Sequence, residues 1–344
     1  VRLSDLTTLR VGGPAARVVR AESVEALMDA VRAADADGRA VLLVGGGSNL
    51  VVSDAGWDGD VVQIANRGLR VQGDGDDVLL DVDAGEPWDE VVALAVDQGW
   101  SGIETLSGIP GCAGATPVQN VGAYGSDMSR VLESVDVWDR VAAQRSVWPG
   151  AAVGLGYRDS AFKHSDRYVV LGARLRLRVS DSSIPLGYGQ LSAAVGVVLG
   201  ERAPLGEVRA AVLGLRASKG MVLSAEDRDT WSVGSFFTNP VVAALPPGLS
   251  GVPDSAQWPG DLPGGGAGIK LSAAWLIQTA GFAPGFSIAG SAAAVSGKHA
   301  LALTNRGGAT ATQIIELARA IRDGVLHRHG IALLAEPRLV GLQL

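Results

Sequence analysis

The sequence predicts an α+β protein made of two mixed units and a smaller third one. Three observations predict it. The first 65 residues alternate strand, amphipathic helix and strand; the stretch from Ser134 to Val179 is mostly strand-like; the carboxyl-terminal third returns to helix. A chain of 344 residues is long enough for two or three compact units. They are expected at 1–65, 66–220 and 221–344, and no internal repeat is found.

Taken in order, "ARVVR" (Ala16 to Arg20) reads as a short strand. Ser23 then caps a helix carrying Val24, Leu27, Met28 and Val31 at i, i+3, i+4 and i+7. Gly38 ends it, "AVLLV" (Ala40 to Val44) is a buried strand, and another strand follows near Val61 to Ala65. A second cycle opens with the strand "VLLDVDAG" and a helix begun by Pro87, with Trp88, Val91, Val92 and Ala95 on one face and Gly99 past its end. In "VLGARLRLRV", Leu171, Ala173, Leu175, Leu177 and Val179 are expected inward. Arg174, Arg176 and Arg178 then form an outward stripe, better explained as a solvated face than as a polyanion site. A helix with Val208, Ala211, Val212 and Leu215 precedes the last third. There Thr310 and Gln313 form a capping box ahead of Ile314, Leu317, Ala318 and Ile321. The Gly/Pro-rich stretch 245–268 reads as a mobile surface loop.

Composition narrows the function. The hydrophobic share of 47% against 19% charged fits a globular protein, and a net charge of −7 argues against nucleic acid or anionic membrane as the main partner. Forty-seven glycines exceed the usual share of roughly 7% and imply backbone packed against something, a cofactor first of all. The single cysteine, Cys112, leaves no intrachain disulfide and no multi-cysteine metal site. No metal is expected. No apolar run approaches the ~20 residues of a membrane span, and "VRLSDLTTLRVGG" lacks the apolar core of a secretory signal. A cytoplasmic enzyme is the expectation.

Five stretches could carry chemistry. "VGGGSNL" follows a strand, but Leu50 stands where a dinucleotide fingerprint needs its last glycine, and no helix follows. Its three glycines with Ser48 and Asn49 form either a backbone N–H nest for a diphosphate or a tight turn between strands. "LSGIPGCAGATPVQNVGAYG" (Leu106 to Gly125) is too long and irregular for a simple turn. Gly111, Gly114 and Gly122 would admit a planar ring, and Gln119 and Asn120 could bond its edges; the alternative is an Ω-loop without ligand. Cys112 within it reads as a small buried residue rather than a nucleophile or flavin attachment point, since nothing nearby in sequence lowers its pKa. Arg158 and Asp159 in "GYRDSAFK" read alone as a surface ion pair. His327 and His329 in "LHRHG" suit a helix carboxyl terminus better than a metal. Ser235 in "GSFFTNP" lacks the G-x-S-x-G elbow and a partner histidine that a nucleophile needs.

The order of these stretches is more informative than any one of them. "VGGGSNL", "SGIPGCAGATPVQNVGAYG", "GYRDSAFK", "LGYGQL", "GSFFTNP", "KLSAAWLIQTAG" and "AEPRLVG", in that order, resemble from about Thr7 to Gly341 the UDP-N-acetylenolpyruvoylglucosamine reductase family, in its longer subtype. The resemblance implies a two-part FAD-binding domain of the vanillyl-alcohol-oxidase/PCMH type plus a smaller α+β substrate-binding domain. It implies non-covalent FAD, NADPH as reductant and UDP-N-acetylglucosamine enolpyruvate as substrate, in a monomer that neither binds nucleic acid nor inserts into membranes. Gly45, Gly46, Gly47, Ser48 and Asn49 would hold the FAD diphosphate. Ile109, Pro110, Gly111, Gly114, Ala115, Gln119, Asn120 and Gly122 would lie along the flavin. Arg158, Ser235 and Glu336 match the family's catalytic residues: Arg158 for the substrate carboxylate, Glu336 near the reacting carbon, Ser235 as proton donor. Tyr188, Arg216, Lys219 and Asn239 match substrate contacts. The competing readings are another FAD-dependent oxidase or dehydrogenase of sugars or alcohols on the same fold, and a non-catalytic nucleotide-sugar or flavin-binding protein, which the presence of Arg158, Ser235 and Glu336 together argues against.

Overall fold

The computed structural model describes residues 1–249, 251–262 and 265–344. These divide into two compact units. The larger is Ala15–Gly47 with Trp57–Val222; the smaller is Val1–Pro14, Ser48–Gly56 and Leu223–Leu344. Two short segments expected with the first flavin subdomain therefore cluster with the carboxyl-terminal third.

In the larger unit, β1 (Ala15–Ala21), β2 (Val41–Val44) and β4 (Trp57–Ile64) form a parallel sheet in the order β1-β4-β2, while β3 (Leu50–Val52) belongs to the smaller unit. Helix α1 (Val24–Ala36) crosses between β1 and β2. The Ser23 hydroxyl accepts the Ala26 N–H at 3.0 Å, and Leu27, Met28, Val31 and Ala34 are buried, so cap and apolar stripe agree.

The second sheet is antiparallel. It contains β5 (Leu69–Asp74), β6 (Asp77–Asp83), β10 (Leu132–Asp139), β11 (Gln144–Pro149) and β12 (Tyr168–Val179) in the order β11-β10-β12-β6-β5, with β7 (Trp100–Ser101) also on β12. Strand β12 departs from simple alternation. Asp136 pairs with Gly172 but Val137 pairs with Val170, so Leu171 is an extra residue, a bulge. The bulge sends Leu171 with Val169 into the α1 core, whereas Ala173, Leu175 and Leu177 pack with α2 (Trp88–Asp97) on the other side. Val179, expected inward, is 52% exposed because the strand runs past the edge of that core. The arginine stripe is solvated and ion-paired: Arg174 to Asp81 at 2.6 Å, Arg176 to Asp74 at 2.5 Å and Glu133 at 2.9 Å, Arg178 to Asp76 at 3.0 Å.

Between the strands lie α3 (Thr116–Gln119) and the two-residue strands β8 (Gly122–Ala123) and β9 (Ser126–Asp127). After β12, α4 (Gly189–Val195) and α5 (Leu205–Ser218) bury Leu191, Val208 and Val212 in a small core of their own.

In the smaller unit, β3 pairs in parallel with β18 (Arg338–Val340), and β16 (Ala293–Val295) pairs with β17 (Leu303–Asn305). Helices α6 (Ala273–Thr279) and α7 (Ala311–His329) bury Leu276, Ile277, Ile314, Leu317 and Ile321 against Phe236 and Phe237. The Thr310–Gln313 capping box forms, and the Asp54 carboxylate adds to it by accepting the Ala311 and Thr312 N–H groups at 2.8 and 2.9 Å. His329 is not explained by the helix terminus alone. Burial pushes its pKa down, and its ring stacks on Trp275. The stretch 245–268 is more ordered than expected. Within it β14 (Gln257–Asp261) pairs with β15 (Ala267–Leu271), which begins at its end and also pairs with β13 (Val241–Val242) ahead of the stretch, while residues 250, 263 and 264 lie outside the described residues.

Candidate active site

In the larger unit the two glycine-rich loops are packed backbone on backbone. A Cβ on Gly46 would come within 2.6 Å of Gly111 Cα, and one on Gly45 would collide with Cys112 Sγ. Gly47 has φ +60° and turns the chain out of β2. Gly114 fits against Ala84, its N–H donating to the Ala84 carbonyl at 2.9 Å. Burial pushes the Cys112 thiol up, and the Gly46, Ala115 and Gly114 N–H groups aim at its sulfur. It is a protonated, enclosed thiol, unsuited to attack or attachment. The glycines let the two loops pack this closely and no helix opens after Gly47, so a diphosphate here would be held by loop backbone N–H groups rather than by a helix N-terminus.

Past Ala115 the long loop folds into α3 and turns at Asn120, which has φ +43°. The Asn120 amide is committed to the framework: its Nδ2 donates to the Gly156 carbonyl at 2.8 Å and its Oδ1 accepts the Ser129 N–H at 3.2 Å. Those bonds tie the loop to the turn that carries Arg158. Arg158 itself has φ +56°. Its guanidinium donates to the Asn120 carbonyl at 3.2 Å and the Gly122 carbonyl at 2.6 Å, and Lys163 Nζ donates to its own carbonyl at 2.7 Å. The surface-ion-pair reading fails: Asp159 is 3.3 Å from His164 instead. A non-glycine residue in left-handed backbone costs about 1–3 kcal/mol, a cost found most often where function needs the side chain aimed.

The carboxyl end of α5 gathers a second group. Lys219 Nζ donates to Gln190 Oε1 at 2.7 Å and lies 5.8 Å from the Tyr124 ring centroid, which packs edge-on to Tyr188 at 5.4 Å. Tyr188 remains 41% exposed. Arg216 donates to the Met221 carbonyl at 2.8 Å, while its Nε is buried with no partner among the described residues. Burial lowers the pKa of both Arg216 and Lys219, and neighbouring cations (Arg158 for Arg216, Arg216 for Lys219) lower them further. Two cations withdrawn from water, Lys219 beside the Tyr124 ring, suit an anionic group. Tyr124 and Gln190 were not singled out in the sequence. Their nearness to the quoted "NVGAYG" and "LGYGQL" stretches was the available signal.

In the smaller unit Ser235 and Glu336 share one backbone framework. Gly234 has φ +74° and leads into Ser235, which bridges Ala302. The Phe236 N–H donates to the Leu301 carbonyl at 2.7 Å, and the Phe236 carbonyl accepts the Glu336 N–H at 2.9 Å. Buried Phe236 and Phe237, 5.1 Å apart edge to face, lock the segment. The Ser235 hydroxyl makes no hydrogen bond among the described residues. The Asn49 carbonyl accepts the Arg338 N–H at 3.0 Å, which holds that residue beside the Glu336 segment. Asn239 uses its Oδ1 to accept the Ala273 N–H at 2.9 Å at the start of α6.

The chain is similar to known proteins over nearly its whole length. Residues 15–143 match the family described as FAD binding domain, and residues 226–340 match the UDP-N-acetylenolpyruvoylglucosamine reductase carboxyl-terminal domain. The UDP-N-acetylenolpyruvoylglucosamine reductase of Saccharopolyspora erythraea is 52% identical over 98% of this chain and 94% of its own length. That of Nocardia farcinica is 51% identical over 100% and 90%. The crystal structure of the Thermus caldophilus reductase superposes with a TM-score of 0.68 at 25% identity, covering 99% of this chain and 97% of that one. The expected α+β fold, an FAD-binding domain of the vanillyl-alcohol-oxidase/PCMH type with a smaller carboxyl-terminal domain, therefore holds. The chain belongs to the UDP-N-acetylenolpyruvoylglucosamine reductase family of FAD-dependent oxidoreductases.

Proposed function

We propose that the protein reduces UDP-N-acetylglucosamine enolpyruvate to UDP-N-acetylmuramate, a peptidoglycan precursor, with NADPH as electron source. The observation that carries the reading is the Ser235 hydroxyl held on the same backbone framework as Glu336. When bound, FAD reduced by NADPH supplies a hydride from N5 to C3 of the enolpyruvyl group. The residues of the chain do the rest. Arg158 binds the substrate carboxylate and stabilises the negative charge that spreads from C2 onto it, a charge-assisted contact suited to a planar guanidinium. Glu336 lies near the reacting carbon and assists enolate formation. Ser235 delivers the proton to C2. A free serine is a weak acid, so this works through a strongly basic intermediate and a fixed donor position.

Gly45, Gly46, Gly47, Ser48 and Asn49 are assigned to the FAD diphosphate. Ile109, Pro110, Gly111, Gly114, Ala115, Gln119, Asn120 and Gly122 are assigned to the flavin ring, Asn120 through the turn it fixes rather than its amide. Tyr188, Arg216 and Lys219 take phosphate groups of the substrate or of NADPH, and Asn239 the nucleotide-sugar. Residues 1–220 serve the flavin and 221–344 the UDP-sugar, with 1–14 and 48–56 folded into the latter's unit. We assign the activity to a cytoplasmic monomer.

Anaerobic stopped-flow tests the reading. Flavin reduced by NADPH should reoxidise rapidly on mixing with UDP-N-acetylglucosamine enolpyruvate; a flavin that stays reduced overturns it. Reduction by simple alcohols in place of NADPH would favour the oxidase reading.

A further inference from the structure

Helix α5 turns one face toward the loop segment Leu106–Gly111. Arg209, Leu213 and Arg216 stand at i, i+4 and i+7 on that face. Gly108 has φ +70°, and a Cβ on it would lie 2.8 Å from Leu213 Cδ2 and 3.4 Å from Arg216 Nε. Its N–H donates to Asp89 Oδ1 at 2.5 Å. Arg209 grips both oxygens of that carboxylate, Nη1 at 2.7 Å and Nη2 at 2.9 Å. Asp89 is in the first turn of α2, beside Trp88. The Trp88 indole N–H donates to the Leu106 carbonyl at 3.2 Å and its backbone N–H to the Gly111 carbonyl at 3.1 Å. The start of α2 thus holds the segment at both ends and, through the Asp89 carboxylate, in the middle. Burial pushes the Asp89 carboxyl up, but Arg209 and the Gly108 N–H outweigh it and hold it below the usual range.

We infer that Arg209 and Asp89 are positioning residues for FAD, the ion pair fixing the Gly108–Gly111 turn so that its backbone meets the flavin ring. The inference rests on the proposed course of the flavin along Ile109, Pro110 and Gly111. A guanidinium fork sets the plane of the carboxylate, which a lysine point charge does not. The angle at which Asp89 offers Oδ1 to Gly108 therefore depends on arginine.

The test uses the full-length holoenzyme. FAD dissociation constant, flavin visible spectrum and flavin midpoint potential are measured for Arg209→Ala, Asp89→Ala, Arg209→Lys and Asp89→Asn, with thermal melts as a check on folding. The expected result is FAD binding weakened at least tenfold in the alanine variants, about 1.4 kcal/mol, with an altered spectrum and potential. Arg209→Lys should recover part of the affinity, and Asp89→Asn, which keeps an acceptor for Gly108, should fall between Asp89→Ala and wild type. Should the alanine variants fail to fold, the lysine and asparagine variants decide. Wild-type affinity, spectrum and potential in the folded variants overturn the inference. Gly111→Ala is measured alongside: if it impairs FAD binding while the Arg209 and Asp89 variants do not, the inference falls and the course of the flavin stands. If none of them matters, the course of the flavin falls with it.

Discussion

At the scale of single residues, the chemistry depends on how few alternatives each side chain has. Arg158 is bound to two loop carbonyls by a backbone few residues adopt, and Ser235 is pinned by its neighbours while its hydroxyl bonds to none of the described residues. For Ser235→Ala we expect reoxidation of the reduced flavin by substrate to slow about 10²–10⁴-fold, with reduction by NADPH nearly intact. Rapid-mixing absorbance of the two half-reactions checks this, and equal slowing of both would remove Ser235 as the proton donor. The identity of these residues was legible in the sequence only through the order of seven short motifs. Taken alone, Arg158 looked like a surface charge, because its carbonyl partners lie 36 and 38 positions away. Asn120 looked like a ring contact, and no local signal marks its amide as spent on Gly156 and Ser129.

At the scale of elements, local signals were read well where cap and stripe coincide, as in α1 and α7. They were read badly where a partner strand decides. The bulge at Leu171 moves that side chain to a different core from Ala173, yet the alternation in "VLGARLRLRV" has no break before Leu171. The hairpin of β14 and β15 sits in a Gly/Pro-rich stretch whose composition suggests only loop. Asp54 is another distant contributor, capping α7 from 257 residues away. Replacing it leaves two N–H groups of the first turn without their acceptor and removes a negative charge from the positive end of the helix. Asp54→Ala should therefore cost about 1–2 kcal/mol, read as a lowered Tm. An unchanged Tm would mean that the Thr310 box suffices alone.

At the scale of the whole molecule, the sheet faces are held by many arginine–carboxylate pairs, and their balance gives the protein an acid limit. Asp139 is the clearest case: the Arg167 guanidinium pulls its pKa from 3.8 to about 2. A carboxylate depressed in the folded state stabilises it above the unfolded pKa and loses that contribution as pH falls through the folded one. The melting-temperature difference between wild type and Arg167→Ala should thus be present at pH 6, shrink below about pH 4 and be mostly lost by pH 2. A difference that stays undiminished at pH 2 would assign it to packing. The discontinuous smaller unit carries a different consequence, one of timing during synthesis. Strand β3 ends at Val52, but its partner β18 begins at Arg338. As the chain leaves the ribosome, β3 must wait for residues 338–340 before this ladder can form, while the larger unit is already whole once Val222 has emerged. The pairing of β3 with β18 is then a late, long-range closure, of the kind that folds slowly.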